Sequence, residues 1–413
     1  MEQYDRREER TGVQEAHDYV PTIDIGCDFV MVYGLHNLKE RIKKWKSRGY
    51  IVHLMTGVAW GNYQDYLYGK YDGIDHHDEG QVERGGREIN HGKDVPYMVP
   101  SISFSRYLTQ QLKYAIDCGI DAIHLEEPEF WARAGYSEAF KREWQLYYRE
   151  PWQDPRSSAE AQYRASKLKQ YLYTRMLDRL CSELKEYALV KHGRLLRFYV
   201  PTHSLINYSQ WMICSPESAL VDLPGIDGYI AQIWTGTSRT PNTYEGVVRE
   251  RTFETAFLEY GIMQELVRGT GKRMWFLHDP VEDDPKHTWA DYRANYYRTV
   301  TASLLHPEVY HYEVSPWPNR VFNGKYPTED GKGREGIPAD YRTNLLTVMQ
   351  ALRDMKQSDV RWREPVTEIG LLLADSAMFQ RIYPDGDERE KEGAVTFDAF
   401  YGLALPLLKH GLA

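Results

Sequence analysis

The sequence has little of what marks exported, disulfide-bonded or membrane proteins. Its four cysteines, Cys27, Cys118, Cys181 and Cys214, are scattered without the Cys-x-x-Cys spacing of zinc or redox sites. The first residues are charged and lack the apolar core of a signal peptide. No apolar run approaches the ~18 residues that a membrane span needs. These absences predict reduced thiols and a cytoplasmic protein without a membrane segment.

A basic stripe interleaved with aromatic residues is absent as well. The 51 Lys and Arg residues are mixed with 60 Asp and Glu residues along the chain, and the formal net charge is −9. This distribution argues against nucleic acid as a partner. Aromatic residues, in contrast, make up 13% of the chain, with 32 Tyr and 11 Trp. Several follow predicted strands, where their rings can stack on sugars or fill a core.

Short apolar runs alternate with long amphipathic stretches, which is the pattern of a parallel sheet with connecting helices. A chain of 413 residues can form a (β/α)8 TIM-type barrel of about 250 residues with insertions. We predict seven strands, at residues 29–33, 50–55, 121–125, 196–200, 228–233, 273–277 and 310–314. An eighth run, EIGLLLA at 368–374, either closes the barrel or begins another α/β domain. In the second case, one barrel strand lies unrecognised near the N-terminus.

The C-terminal residues favour the second alternative. EIGLLLADS, a polar loop and an amphipathic stretch from residue 397 resemble the first βα unit of a Rossmann-like domain. We therefore predict a barrel over residues 1–365 and a partial Rossmann-like domain over 366–413. We also expect the natural chain to continue beyond Ala413, because another strand should follow there.

The densest group of acidic residues directly follows the strand at 121–125. It reads HLEEPEFW and contains Glu126, Glu127 and Glu129. Carboxylates clustered at a strand end repel one another, so that at least one pKa should rise. A carboxyl group with a raised pKa holds its proton near neutrality, as a general acid must. The alternative is a surface loop paired with arginines such as Arg133 or Arg142.

Two further carboxylates lie at the ends of later strands. Glu313 ends the strand in YHYEVSPWPNR, where Trp317 follows in a loop stiffened by prolines. It is either a nucleophile or the partner of Arg320 in an ion pair. Asp279 ends the strand in FLHDP, although Asp-Pro is also common in turns.

Polar and aromatic residues at other strand ends are suited to binding sugar hydroxyls and sugar faces. The predicted substrate-binding residues are Trp60, Asn62, His203, Gln232, Trp234, His278 and Trp317. The histidines in DHHDE, residues 75–79, are better explained as a solvated surface than as metal ligands, because no third ligand has suitable spacing.

These strand-end acids and the tail together resemble the retaining (β/α)8 glycoside hydrolases, in particular the family 42 β-galactosidases. In that family, the acid/base glutamate follows strand four in an acidic-Asn-Glu motif. Glu127-Pro128-Glu129 occupies this place here, so the resemblance implies that Glu129 is the acid/base. Pro128 replaces the asparagine that contacts the sugar, which leaves the substrate open.

The resemblance also implies a nucleophile after strand seven, often in a Glu-x-x-Pro sequence. Glu313-Val314-Ser315-Pro316 matches this motif, whereas strand counting points to Asp279. We favour Glu313, with Asp279 and Glu127 in reserve. The tail is similar to the start of that family's trimerisation domain, which implies a trimer for the full-length form.

The sequence therefore predicts a glycoside hydrolase with two catalytic carboxylates, a carbohydrate substrate, and no cofactor or metal. The mechanism is expected to be retaining, although an inverting one stays open. One alternative is a non-catalytic carbohydrate-binding barrel. Another is a barrel lyase or isomerase with His203 or His278 as its base.

Overall fold

Eight parallel strands form a closed barrel in this computed structural model, which describes residues 6–282, 286–355, 369–379 and 397–411. The strands are hydrogen-bonded in chain order, and the eighth pairs with the first. They are β1 Thr11–Glu15, β2 Phe29–Tyr33, β3 Ile51–Gly57, β4 Ala122–Glu126, β5 Arg197–Thr202, β6 Gly228–Ala231, β7 Arg273–Leu277 and β8 Tyr312–Pro316. The predicted (β/α)8 barrel is confirmed.

Helices follow the strands and pack around the barrel. The longer ones are α1 Leu38–Lys46, α2 Ile102–Asp117, α3 Glu138–Tyr148, α4 Ala159–His192, α5 Leu205–Trp211, α6 Thr252–Val267, α7 Trp289–Leu304, α8 Pro318–Asn323, α9 Ala339–Asp354 and α10 Asp398–Lys409. Several begin behind a serine or threonine whose side chain accepts a hydrogen bond from a backbone N–H of the first turn, as Ser204 does for α5. Among the described residues, no helix has the length and apolar character needed to cross a membrane.

Short elements complete the chain between these strands and helices. Four-residue helices lie at Gln64–Leu67, Glu217–Leu220, Thr235–Ser238 and Ser376–Phe379, and 3-10 turns at Arg6–Glu8, Pro21–Ile23 and His77–Glu79. Small antiparallel pairs join Asn90–Gly92 to Val95–Pro96, Phe130–Trp131 to Ile213–Cys214, Asn242–Tyr244 to Val247–Arg249, and Tyr326–Pro327 to Arg334–Glu335.

The barrel closes through a strand that the sequence patterns did not reveal. Thr11–Glu15 pairs with β2 on one side and with β8 on the other. The strand predicted at 368–374 was wrong over its described part, since residues 369–374 have no regular secondary structure and Leu372 is 93% exposed. The described part of the chain already closes the barrel through Thr11–Glu15, so the barrel has no free edge for these apolar residues.

The C-terminal helix of the predicted further domain is present. Helix α10 packs Tyr401 and Leu405 against Ile206 of α5. Residues 356–368, 380–396 and 412–413 lie outside the described part of the chain, so the domain boundary at 366 stays a prediction.

The interior of the barrel is aromatic, and a charged group occupies its N-terminal end. Glu9, just before β1, is buried and forms ion pairs with Arg197 of β5 and Arg273 of β7. Its carboxylate also contacts His53 of β3 at 3.3 Å. Burial alone would raise the pKa of Glu9, but the His53 and Arg197 contacts hold it far below its ordinary value. One carboxylate thus connects the first strand to three others.

We predict that Glu9→Gln lowers the free energy of unfolding by about 3 kcal/mol, because it removes the buried anion with which Arg197 and Arg273 pair. The folded-state pKa of Glu9 lies below the unfolded value of about 4.3. Its contribution is therefore present above that pH and is lost as the pH falls towards the folded-state pKa. Urea unfolding at pH 7 and pH 3 measures both effects.

Asp18→Asn is the matched control, since its ion pair with Lys44 is exposed on both sides. It should change the stability by no more than about 0.5 kcal/mol. An equal loss in both variants would contradict the role given to Glu9.

Candidate functional site

The C-terminal ends of the strands surround a group of inward-facing polar side chains. Side chains of alternate strand residues point to the same side, so Glu126 faces inward above His124, which stacks in the barrel interior. Its two carboxylate oxygens accept hydrogen bonds from the Tyr33 hydroxyl at 2.6 Å and from the Gln232 amide at 3.0 Å. Strands β2, β4 and β6 are thereby joined at this face, which is where (β/α)8 enzymes carry their active sites.

The chain turns sharply as it leaves β4. Glu127 has a positive φ of 51°, a left-handed conformation that costs energy for a residue with a side chain. Its N–H donates to the carbonyl of Pro201 at 3.0 Å, and the Glu129 N–H donates to the Glu127 carbonyl at 2.8 Å. The turn brings the Glu127 and Glu129 side chains together, so that a carboxylate oxygen of each lies within 4.8 Å of the other.

Glu127 is held as an anion by two donors. His203 Nε2 lies 3.2 Å from one carboxylate oxygen, and the Trp60 indole N–H donates to the other at 3.1 Å. His203 Nδ1 faces the Gln232 carbonyl at 2.9 Å, so both ring nitrogens lie beside oxygen atoms. Burial acts to raise the pKa of Glu127, but the hydrogen bond and charge of His203 outweigh it and the pKa is lowered.

Glu129 is held as a neutral acid instead. It is only 4% exposed, and burial followed by the charges of Glu127 and Glu217 raises its pKa well above the ordinary value. Its hydrogen-bond partner is the Tyr208 hydroxyl. Two neighbouring carboxyl groups with opposite pKa shifts are the arrangement that acid–base catalysis requires.

Glu313 and Asp279 lie on the other side of the same face. Strand β7 is the seventh, so Asp279 follows strand seven as the strand count predicted, and Glu313 lies on strand eight. Asp279 accepts a hydrogen bond from Arg320 at 2.8 Å. Glu313 is fully buried, and neither of its carboxyl oxygens has a hydrogen-bond partner among the described residues. Burial, then the charges of Glu126 and Asp279, raise its pKa well above the ordinary value.

Aromatic rings line the edge of this face. Trp60 stacks on His91 with ring centres 3.6 Å apart, and Trp317 lies 5.0 Å from Tyr33. Both tryptophans are partly exposed, as is Trp234, which packs on the barrel interior. Flat aromatic surfaces beside carboxylates are suited to binding a sugar ring.

Two predicted substrate-binding residues are not part of the carboxylate group. His278 is buried against the outer helices, where its Nε2 lies 2.7 Å from the Ser303 hydroxyl and its ring stacks on Tyr312. Burial lowers its pKa to about 3. Asn62 is exposed on the loop after β3.

The sequence did not single out Tyr33, His91 or Tyr208. Tyr33 could have been found by the rule applied to the other strands, because it ends β2. His91 lies in the short strand Asn90–Gly92 of the long segment after β3, and Tyr208 lies in a helix, so only the folded chain shows that they reach this face.

Glu127, Glu129 and His203 are the one group of described residues whose donor atoms are close enough for a shared metal ion. In this structure His203 Nε2 lies 3.2 Å from Glu127 and the Trp60 indole N–H donates to the same carboxylate, so these side chains are paired with one another. At 75–79 the predicted solvated surface is wrong for two residues: His77 pairs with the exposed Asp75 at 2.9 Å, whereas His76 and Glu79 are buried beside Tyr66. The group therefore fits two carboxyl groups in different charge states better than a metal centre.

Similar folds occur among solved structures of (β/α)8 glycoside hydrolases. The catalytic domain of β-amylase from Paenibacillus polymyxa is 8% identical over 83% of this chain and 98% of its own, with a TM-score of 0.50. The glycoside hydrolase domain of PelA from Pseudomonas aeruginosa is 12% identical (75% and 94% covered, TM-score 0.41). Ega3 from Aspergillus fumigatus is 8% identical (70% and 84%, TM-score 0.40).

At these identities the likeness shows the barrel fold alone. No protein family and no curated protein matches the sequence. The resemblance to family 42 therefore stays a prediction.

The unpartnered Glu313 generates a prediction about stability. Glu313→Met should raise the free energy of unfolding at pH 7 by about 1 kcal/mol, because an apolar side chain replaces a buried polar group without partners. The raised folded-state pKa of Glu313 costs stability at every pH above the unfolded value of about 4.3. The gain should hence be smaller at pH 4 than at pH 7, as measured by urea unfolding.

Glu40→Met serves as the control, since Glu40 is exposed on α1. It should shift the stability by less than about 0.5 kcal/mol at either pH. If Glu313→Met were destabilising at pH 7, Glu313 would have a partner that stabilises it.

Proposed function

We propose that this protein is a glycoside hydrolase in which Glu129 is the general acid and Glu127 the anionic partner. The observation that carries the proposal is the close approach of these two carboxyl groups at the C-terminal face of the barrel, where His203 and Trp60 contact Glu127 and burial raises the pKa of Glu129. Glu129 donates its proton to the glycosidic oxygen as the bond breaks. Glu127 attacks or stabilises the anomeric carbon, and water releases the sugar after Glu129 has accepted a proton from it.

Two observations favour Glu127 over Glu313 for the anionic role. The Glu127 side chain is 17% exposed and is held as an anion by His203 and Trp60. Glu313 is fully enclosed and has a raised pKa, so it is neutral and out of contact with solvent in this conformation. Glu313 and Asp279 then shape the floor of the site.

The spacing of the pair supports a retaining mechanism. Retaining enzymes hold their two carboxyl groups about 5–5.5 Å apart, whereas inverting enzymes leave about 6.5–9.5 Å for a water molecule. The nearest oxygens of Glu127 and Glu129 lie within 4.8 Å.

The direct test is hydrolysis of a panel of 4-nitrophenyl α- and β-glycosides, with β-galactosides first because of the family resemblance. We expect release of nitrophenol from at least one of them. Glu129→Gln should lower kcat/KM by about 10²–10⁴-fold on substrates whose leaving group needs protonation. The loss should be smaller with a 2,4-dinitrophenyl leaving group, which departs without a proton.

Azide distinguishes the two candidates for the anion. Glu127→Gly should be inactive alone and regain turnover with azide, because the small anion enters the space left by the carboxylate. Glu313→Gln, which removes no exposed anion, should keep most of the activity. If azide restored Glu313→Gly while Glu127→Gln stayed fully active, Glu313 would be the anion instead.

Glycan binding without turnover of any substrate would identify a non-catalytic binding barrel.

We further predict that turnover does not depend on a divalent cation, because hydrolysis by two carboxyl groups needs none. Dialysis against EDTA should leave kcat/KM unchanged. Loss of activity on dialysis, with recovery on addition of zinc, would assign Glu127, Glu129 and His203 to a metal centre.

A further inference from the structure

Glu217 is a second buried carboxyl group near the proposed site, and the mechanism above does not use it. It begins the short helix Glu217–Leu220, on the outer side of strand β5, and is only 7% exposed. The hydroxyls of Thr202 and Ser215 both donate to the same carboxylate oxygen. The Tyr229 hydroxyl donates to its backbone carbonyl at 3.1 Å.

Two hydroxyl groups connect Glu217 to Glu129. The Thr202 hydroxyl, which contacts Glu217, lies 3.1 Å from the Tyr208 hydroxyl. The Tyr208 hydroxyl in turn faces Glu129, and as a donor to the carboxylate it lowers the pKa of Glu129 by less than burial and the neighbouring charges raise it. Thr202 and Tyr208 are both fully buried, so the chain from Glu217 through Thr202 and Tyr208 to Glu129 is shielded from bulk solvent.

Each hydroxyl in this chain has one proton to donate, so the three contacts can all be hydrogen bonds only if they point the same way. When Glu217 is an anion, Thr202 donates to it. For the two remaining bonds to form as well, Tyr208 donates to Thr202 and Glu129 donates to Tyr208, which requires Glu129 to keep its proton. When Glu129 is the anion, every bond reverses and Glu217 holds the proton.

We propose that Glu129 and Glu217 share one proton through Tyr208 and Thr202, and that Glu217 is the positioning residue that keeps the proton on Glu129. The inference rests on the proposed function, in which Glu129 is the acid. Moving the proton from Glu217 to Glu129 breaks one O–H bond and forms one O–H bond at each of the three steps. No oxidant or further reactant is needed.

Other ionisable groups also face the two carboxyls and act on the balance between them. Glu217 is faced by Asp375, which accepts hydrogen bonds from Gln170 and Ser218, and by Tyr208 and Tyr229. Glu129 is faced by Glu126, Glu127, Tyr97 and Tyr173. Burial raises the pKa of Glu217 to about 7 against the lowering by its hydrogen bonds. The larger number of anions around Glu129 favours its protonated form.

Infrared titration of the free protein tests the proposal without a substrate. The C=O stretch of protonated Glu129 is assigned as the carboxylic acid band that Glu129→Gln removes. The titration midpoint is the pH at which half of this band is lost. In Glu217→Gln, this midpoint should fall by about one pH unit or more, because the negative charge that opposes ionisation of Glu129 is lost and the new amide donates a hydrogen bond to Thr202. An unchanged midpoint would overturn the proposal.

A double-mutant cycle tests the hydroxyl chain itself. In a Tyr208→Phe background, Glu217→Gln should no longer move the Glu129 midpoint; an equal shift there would show that the chain does not carry the coupling. Thr202→Val interrupts the chain at its other hydroxyl if Tyr208→Phe fails to fold. Glu259→Gln is the matched control, as a fully buried glutamate with a pKa raised by burial to about 8 and a bond to Asn207. It should leave the midpoint in place.

The two proposals can fail separately. If no glycoside is hydrolysed but the midpoint moves as expected, the shared proton stands and the glycoside hydrolase assignment falls. If hydrolysis occurs with Glu129 as the acid, the alkaline limb of kcat/KM should move to lower pH in Glu217→Gln by the same amount as the infrared midpoint. An alkaline limb that stays in place would contradict the role of Glu217.

Discussion

Pairing of β1 with β8 is the interaction on which the rest of the molecule depends. A row of parallel strands brings its carboxyl ends to one edge, but only closure makes that edge a ring around a common centre. The closing strand is short and polar, and Glu9 just before it is bound by side chains of β3, β5 and β7. Ionic contacts at the N-terminal end therefore help to hold a ring whose opposite end carries the carboxyl groups.

That opposite end concentrates acids where water is largely excluded. Carboxyl groups so close together cannot all be ionised in a low-dielectric surrounding, so their protons are distributed by the donors that each one finds. Glu127 meets His203 and the Trp60 indole, whereas Glu313 meets no donor among the described residues. The site consequently contains an anion and neutral acids side by side. A buried acid without partners lowers stability, and proteins retain such groups mainly where function requires them.

The sequence was sufficient to predict the barrel and much of the site. Seven strands are apolar runs, and the polar residues that follow them converge for the geometric reason given above. Thr11–Glu15 was not found because TGVQE has one strongly apolar residue and follows a charged start. Periodicity also could not decide between Glu127 and Glu313, since both are glutamates at strand ends. The difference lies in which donors surround them, and those donors come from loops and helices distant in sequence.

Strand β5 shows how a single element can act differently on two neighbouring carboxyls. Side chains alternate along a strand, so Thr202 points outward to Tyr208 and Glu217, while the next residue, His203, turns to Glu127. The outward residue belongs to the hydroxyl chain through which we propose that Glu217 favours a proton on Glu129. The inward residue brings a positive charge that favours an anion at Glu127. The alternation of the strand thus separates the charge states of two side chains that the turn after β4 has brought together.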